Sequence, residues 1–330
     1  MPLKSGKKRE RLRMKPVCLI IDQMHHSIVP MLEESGVEVR YEPEIKPEEV
    51  KAALKGVTIL MVRSKLHITE ALLSGADSLK VIARAGAGID NIDEAALASR
   101  DIELINAPEG NRTAVGEFTL GLLLALFRNI VKADKEVRSL KWLREPNRGE
   151  EIAGKTIGII GYGNMGKSFA RCLAGFDCKV LAFDTNPDCE YDRFAEKATL
   201  NQLFGEADVL SLHIPFIPTN YQLVNEQFLQ QFQKPVWLLN TARGEVLDYR
   251  ALVNGLKSGR IKGAALDVLE NEKLSSLNAL QKKNFDWLCG AENVILAPHI
   301  AGWTYQSYRK INEVLVHKLQ GVLTQWSSLR

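Results

Sequence analysis

Short runs of β-branched and aliphatic residues alternate with helical stretches along this chain, and no other feature restricts its fold as tightly. The runs read PVCLIID from Pro16, VEVRY from Val37, VTILMVR from Val57, KVIAR from Lys80 and IELI from Ile102. Strands separated by helices pair in parallel, because a parallel neighbour is reached only through a crossover long enough to hold a helix. A second series repeats the pattern: KTIGIIG from Lys155, KVLAFD from Lys179, ADVLSLHIP from Ala207, VWLLNTARG from Val236, KGAALDVLE from Lys262 and NVILAPHI from Asn293. The expected fold class is α/β, with two doubly wound parallel sheets. A length of 330 residues agrees, since single cores seldom grow that far.

Between the two series, NRTAVGEFTLGLLLALFRNIVKADKEVRSL predicts one long helix from about Thr113. Its middle is apolar all round, so burial between domains or subunits is expected, and with the arm-like stretch to Leu143 it points to a homodimer. The apolar stretch at 118–127 is far shorter than the roughly 20 residues of a membrane helix, so no span is expected. The last helical stretch, about 304–329, has no strand after it and is expected to return to the first domain. The expected division is therefore 15–107 with 300–330 against 108–299.

Apolar residues make up 45% and charged residues 25%, which excludes disordered, collagen-like and disulfide-stapled classes. The net charge of +3 hides seven Lys or Arg against one Glu within the first sixteen residues. Without that surplus the body is mildly acidic, which argues against a nucleic-acid platform. Residues 1–14 read as a disordered basic tail, with Met14 a candidate start, and the tail lacks the apolar core of a secretory signal. Five cysteines without a CxxC pair read as reduced thiols of a cytoplasmic protein, most of them core filler. No HExxH or comparable cluster is present, and His25 and His26 read as surface residues, so no metal is expected.

The segment KTIGIIGYGNMGKSFARCLAGF places GxGxxG, at Gly161, Gly163 and Gly166, where an apolar strand ends and a helix begins. In that context the first glycine permits the turn, the second lets a pyrophosphate approach, and the third lets helix pack on strand. The uncapped N–H groups of the helix then suit the phosphate charge. Asp184 ends the next strand, eighteen residues beyond Gly166, where a carboxylate accepts both adenosine ribose hydroxyls and repels a 2′-phosphate. Thr185, Asn186 and Pro187 follow it without a cation, so NAD is favoured over NADP. The other reading of Asp184 is a turn cap.

Arg243, Glu272 and His299 follow successive strands of the second series, where open α/β sheets place their ligands. A guanidinium there can clamp a carboxylate through parallel N–H donors. An imidazole can exchange a proton with a hydroxyl near neutral pH, and a carboxylate beside it favours imidazolium. Singly, each also reads as an ordinary surface or core residue; the combination is what points to chemistry.

From about Pro16 onward the chain resembles the D-isomer-specific 2-hydroxyacid dehydrogenase family, on RAGAGIDNID from Arg84, GYGNMG from Gly161, NTARGEVLD from Asn240, AALDVLENE from Ala264 and APHIAG from Ala297. The resemblance implies a Rossmann NAD-binding domain and a flavodoxin-like substrate domain that acts as a lid. It makes Arg243, Glu272 and His299 catalytic and gives Asp267 to the nicotinamide carboxamide, with a turn cap as the alternative. It adds cofactor contacts at Asn164, Met165, His213, Pro215, Thr241 and Ala242. Substrate contacts fall at Arg63, Ser64, Arg84, the loop Ala85, Gly86, Ala87 and Gly88, and Asn111, the loop offering its amides to a carboxylate.

Arg63 with Ser64, and Arg84 before AGAGIDNID, look most like the 3-phosphoglycerate dehydrogenase branch, where extra cations suit a phosphorylated substrate. Two departures are Trp303, where that branch commonly has a small Ser, and Lys273, in place of a frequent Pro. Trp303 would narrow the pocket toward a smaller or more apolar acid, or serve as a core or interface aromatic. The chain ends at its final helix, so feedback by serine through an appended module is not expected. The alternative from another class is an NADH-sensing binding protein like the C-terminal binding protein corepressors. Formate dehydrogenase is disfavoured, since its histidine pairs with Gln where this chain has Glu272.

Overall fold

The computed structural model describes residues 15–328, and the segment expected to be a basic tail, 1–14, lies outside them. The chain divides into two compact units: one runs to Ala107 and resumes at Ile311, and the other is Pro108–Lys310.

In the first unit, β1 (Val17–Ile20), β2 (Glu38–Tyr41), β3 (Ile59–Val62), β4 (Val81–Arg84) and β5 (Glu103–Asn106) form one parallel sheet in the order β2-β1-β3-β4-β5, a flavodoxin-like arrangement. The central strands are unbroken apolar runs because both faces are covered. Cys18, Ile20, Ile59 and Met61 face one layer, and Leu19, Leu60 and Ile82 face the other. The final helix, Tyr305–Ser328, contributes Ile311, Leu315, Val316, Leu319 and Val322 to the first of these layers, a spacing that keeps them on one helical face. The second crossing between units therefore falls within this helix rather than at 300.

The second unit holds β6 (Thr156–Ile160), β7 (Lys179–Phe183), β8 (Glu196–Lys197), β9 (Val209–Leu212), β10 (Val236–Asn240), β11 (Ile261–Leu266) and β12 (Val294–Leu296). All pair in parallel in the order β12-β11-β10-β9-β6-β7-β8, which is Rossmann topology. Strand order reverses between β6 and β9, so the turns after these two strands flank the crevice where such sheets bind ligands.

The single helix expected from Thr113 is instead two, Pro108–Phe127 and Ile130–Arg138, bent by 60°. Pro108 opens the first, where its missing N–H is not needed. Asn129 breaks the run with a left-handed backbone, φ 52°. Gly116 lets the first helix lie against the helix Asn164–Cys172, since a Cβ there would meet the Ser168 carbonyl carbon at 2.8 Å. Among the described residues no single helix is long and apolar enough to cross a membrane. Of the cysteines, all free, only Cys18 is core; Cys172, Cys178 and Cys189 are half-buried and Cys289 is exposed, so most are not filler. The reason is position, since Cys18 alone of the five lies within a strand.

Candidate active site

The turn after β6 has the geometry a dinucleotide needs. Gly161 sits at φ +91°, and a Cβ on it would lie 2.5 Å from the carbonyl oxygen of His213, on the strand neighbour across the switch point. A Cβ on Gly166 would lie 2.1 Å from the carbonyl oxygen of Gly161, so helix and strand touch there. At Gly163 nothing lies within 4 Å of the added carbon, which leaves open space at the helix start. Gly163 is also the N-cap of Asn164–Cys172, with no capping side chain and no acid in the first turn. Unsatisfied N–H groups facing open room fit a pyrophosphate. Asp184 follows β7; its Oδ2 accepts from the Tyr162 amide at 2.7 Å and its Oδ1 from the Asn186 amide at 2.8 Å. It is thus a turn cap whose oxygens keep lone pairs for further donors.

The chemical groups come from the loops after β10, β11 and β12. His299 Nδ1 and Glu272 Oε1 are 2.8 Å apart. That hydrogen bond raises the imidazole pKa above its ordinary value, against burial and the nearby positive charge of Arg243, both of which lower it. His299 is held at φ 56°, a left-handed backbone uncommon for any residue but glycine. The turn is imposed by buried Asp267: its carboxylate accepts the amides of Ile300 at 2.9 Å and Ala301 at 2.8 Å, while its own carbonyl accepts the His299 amide at 2.7 Å. Burial raises the Asp267 pKa and these two amides oppose the rise. Arg243 Nη1 donates to the Ala242 carbonyl at 2.7 Å, which fixes the guanidinium at the root of its loop.

A nucleotide-ready turn, an imidazole–carboxylate pair and an arginine thus share one α/β unit. The profile described as D-isomer specific 2-hydroxyacid dehydrogenase, NAD binding domain, matches residues 120–301. The chain belongs to this family. It is 37% identical over 283 residues to a glyoxylate reductase of Thermofilum pendens, covering 84% of this chain and 81% of that one. It is 32% identical over 289 residues to a hydroxypyruvate reductase of Thermotoga maritima, covering 88% and 92%. With a D-3-phosphoglycerate dehydrogenase of Methanocaldococcus jannaschii it shares 32% over 311 residues, 92% of this chain but 57% of that protein. Among solved structures, a D-lactate dehydrogenase of Aquifex aeolicus complexed with NAD and lactic acid superposes with a TM-score of 0.78 at 26% identity, covering 94% of this chain and 96% of that one. The chain is an NAD-binding dehydrogenase of this family, and these matches lend no support to the reading as a nucleotide-sensing binding protein.

The other expected cofactor residues follow β6, β9 and β10. Asn164 and Met165 open the helix after the glycine turn, both half-buried. His213 packs its carbonyl under Gly161, and its ring Nε2 meets Ser211 Oγ at 2.8 Å. Burial drives its pKa down to about 3, so this imidazole is neutral, and its Nδ1 has no hydrogen-bond partner among the described residues. Pro215 is exposed, and Thr241 and Ala242 are buried, with Thr241 Oγ1 3.0 Å from Thr119 Oγ1. Asn111 is brought to the His299 turn: a Cβ on Gly302 would meet its Nδ2 at 2.6 Å, and its buried Oδ1 is without a partner among the described residues.

In the first unit, Arg63 and Ser64 follow β3, and the Arg63 amide donates to Asp22 Oδ2 at 2.7 Å. The Arg84 side chain folds over Gly86, and its Nη1 donates to the Ala85 carbonyl at 2.9 Å. The expected four-residue amide cradle is narrower than its sequence suggests. The Ala85 amide goes to Val62 O and that of Gly86 to Arg84 O, leaving Ala87 and Gly88 as the candidate pair.

Sequence reasoning missed the residues that shape the site from behind. Gly244 lets the Arg243 loop touch the next one, since a Cβ would lie 2.0 Å from the Leu269 carbonyl. Asn240 closes the Arg243 loop, donating to Arg243 O at 2.9 Å and accepting from the Ala242 amide at 3.0 Å. Buried Tyr249 donates its hydroxyl to Val268 O at 2.7 Å. An Asn at a strand end and a Gly four residues after it are the signals of these roles.

Proposed function

We propose that the protein interconverts small 2-oxo acids and D-2-hydroxy acids with NAD, with hydroxypyruvate or glyoxylate as the type of substrate. The observation that carries this is the His299–Glu272 pair, 2.8 Å apart and within the field of Arg243. Arg243 would hold the substrate carboxylate and the C2 oxygen through its planar donors. Bound nicotinamide supplies hydride exchange at C2. Protonated His299 gives its proton to the C2 oxygen and, in the opposite direction, takes it back, while Glu272 stabilises the imidazolium. Gly161, Gly163, Gly166 and Asp184 would hold the dinucleotide. Arg63, Ser64, Arg84, Ala87, Gly88 and Asn111 remain proposed substrate contacts.

Trp303 closes the turn after His299 with its amide on Ile300 O at 2.9 Å and is 63% exposed, so it is not a core aromatic. Two relatives that this chain covers to 92% and 81% of their length reduce hydroxypyruvate and glyoxylate by name. A second reading, 3-phosphoglycerate, rests on Arg63 and Arg84 at the ends of β3 and β4. The proposal places a homodimer in the cytoplasm, which five free thiols suit. Loss of NADH absorbance with a panel of hydroxypyruvate, glyoxylate, pyruvate and 3-phosphohydroxypyruvate tests it. Higher kcat/KM on one of the first three is the expected outcome. Preference for the phosphorylated acid reverses the substrate assignment, and tight NADH binding without turnover on any acid removes the enzyme reading.

A further inference from the structure

The residue between the first two glycines of the nucleotide turn, Tyr162, is the only aromatic in that turn, and its side chain is fully buried. It meets the segment after β7 at four points. Its amide donates to Asp184 Oδ2 at 2.7 Å, and its carbonyl accepts from Cys189 Sγ at 3.4 Å. Its ring stacks on Tyr191 with centroids 5.1 Å apart and planes 9° from parallel. Its hydroxyl donates to Asp192 Oδ1 at 2.6 Å, an oxygen that also accepts the Phe194 amide at 3.0 Å.

The segment from Asp184 to Phe194 carries no helix or strand of its own. Its backbone lacks the ladder that would otherwise fix it, so side-chain ties set its position. Asp184 is the first residue of this segment, and its rotamer is held by amides of Tyr162 and Asn186, one on each side. Above the ring pair stand two cations, Lys167 Nζ 5.9 Å from the Tyr162 centroid and Lys197 Nζ 5.5 Å from that of Tyr191. Two ammonium groups near this segment would attract a 2′-phosphate, and an Asp184 carboxylate fixed in place would repel it.

We propose that Tyr162 is a positioning residue for the dinucleotide: by tying the 184–194 segment to the glycine turn it holds the Asp184 carboxylate for the adenosine ribose, and so sets the preference for NAD over NADP. The inference rests on Asp184 as the ribose acceptor and is independent of which 2-oxo acid is reduced. Burial and the Asp192 carboxylate both raise the Tyr162 pKa, so the hydroxyl stays a donor at any physiological pH.

The test is fluorescence titration of the full-length protein with NADH and NADPH, together with steady-state kinetics. Tyr162→Phe keeps the ring and removes the tie to Asp192, and Asp192→Ala removes it from the other side. Each is expected to raise the Kd and KM for NADH about 5- to 30-fold, with a smaller change in kcat. The double variant should cost no more than the larger single one, because both remove one interaction. The ratio of kcat/KM for NADPH to that for NADH should rise in both. Asp184→Ala separates the two readings. If it weakens NADH binding while both tie variants stay within about twofold of the parent, Tyr162 is structural only and the proposal is wrong. If Asp184→Ala itself leaves NADH binding unchanged, the ribose reading fails and the proposal fails with it. A lowered melting temperature with unaltered Kd also overturns the proposal.

Discussion

At the scale of single residues, the site depends on an imidazole kept in a costly conformation. A non-glycine residue at φ 56° stores about 1–3 kcal/mol, and the two amides on Asp267 hold His299 there. Glu272 is the largest influence on its protonation and acts upward, whereas burial and Arg243 act downward. The proposed reduction needs protonated His299. Its kcat/KM should therefore be level below the ordinary imidazole value near 6.5 and fall only as pH rises through the raised pKa. Oxidation, which needs the neutral ring, should rise over the same window. Glu272→Gln removes the largest upward influence and leaves only that of Asp267 against burial and Arg243, so the reductive limb should move to lower pH; a pH profile that stays in place would contradict this pairing. His299→Ala should lower kcat about 10²- to 10⁴-fold while NADH titration still shows binding. Undiminished kcat would refute the role of the imidazole.

At the scale of elements, the glycine turn makes two separable predictions from one motif. Gly166→Ala puts a carbon against the Gly161 carbonyl at 2.1 Å, so helix and strand must part, and the melting temperature should fall markedly. Gly163→Ala meets nothing within 4 Å, so the fold should keep its melting temperature while NADH binding weakens, because the methyl group takes room meant for phosphate. Equal loss of stability in both would mean that the open space at Gly163 has no ligand role. The same distinction explains what a sequence discloses. Strands β1 and β3 are legible because burial on both faces demands unbroken apolar runs. The two-residue edge strand β8, Glu196 and Lys197, both exposed, carries no such pattern. Likewise Arg243, Glu272 and His299 are legible from their places after strands. Gly244 and Tyr162 are not, because each matters through contacts with segments distant in sequence. The break at Asn129 escapes hydropathy for a similar reason: apolar residues continue on both sides of it, and only the backbone turns.

At the scale of the whole molecule, the segment that follows this break carries several exposed apolar side chains within a short run of sequence. Leu140 is 97% exposed and Trp142 80%, with Ile130, Val131 and Val137 each about half exposed on the preceding helix. Scattered exposed aliphatics need no explanation, but a run of exposed apolar side chains between Ile130 and Trp142 is what a partner surface would supply. A second copy of the chain is the economical occupant. A two-fold contact covers the same patch on both chains and then closes, whereas a head-to-tail contact would leave one patch open and propagate. Light scattering should therefore give twice the mass of one chain. Leu140→Glu combined with Trp142→Glu should give the mass of one chain, with the circular dichroism of the folded protein retained, because neither side chain supports either core. A parent protein that scatters as a single chain at micromolar concentration would leave this surface to a different partner and remove the dimer from the proposal.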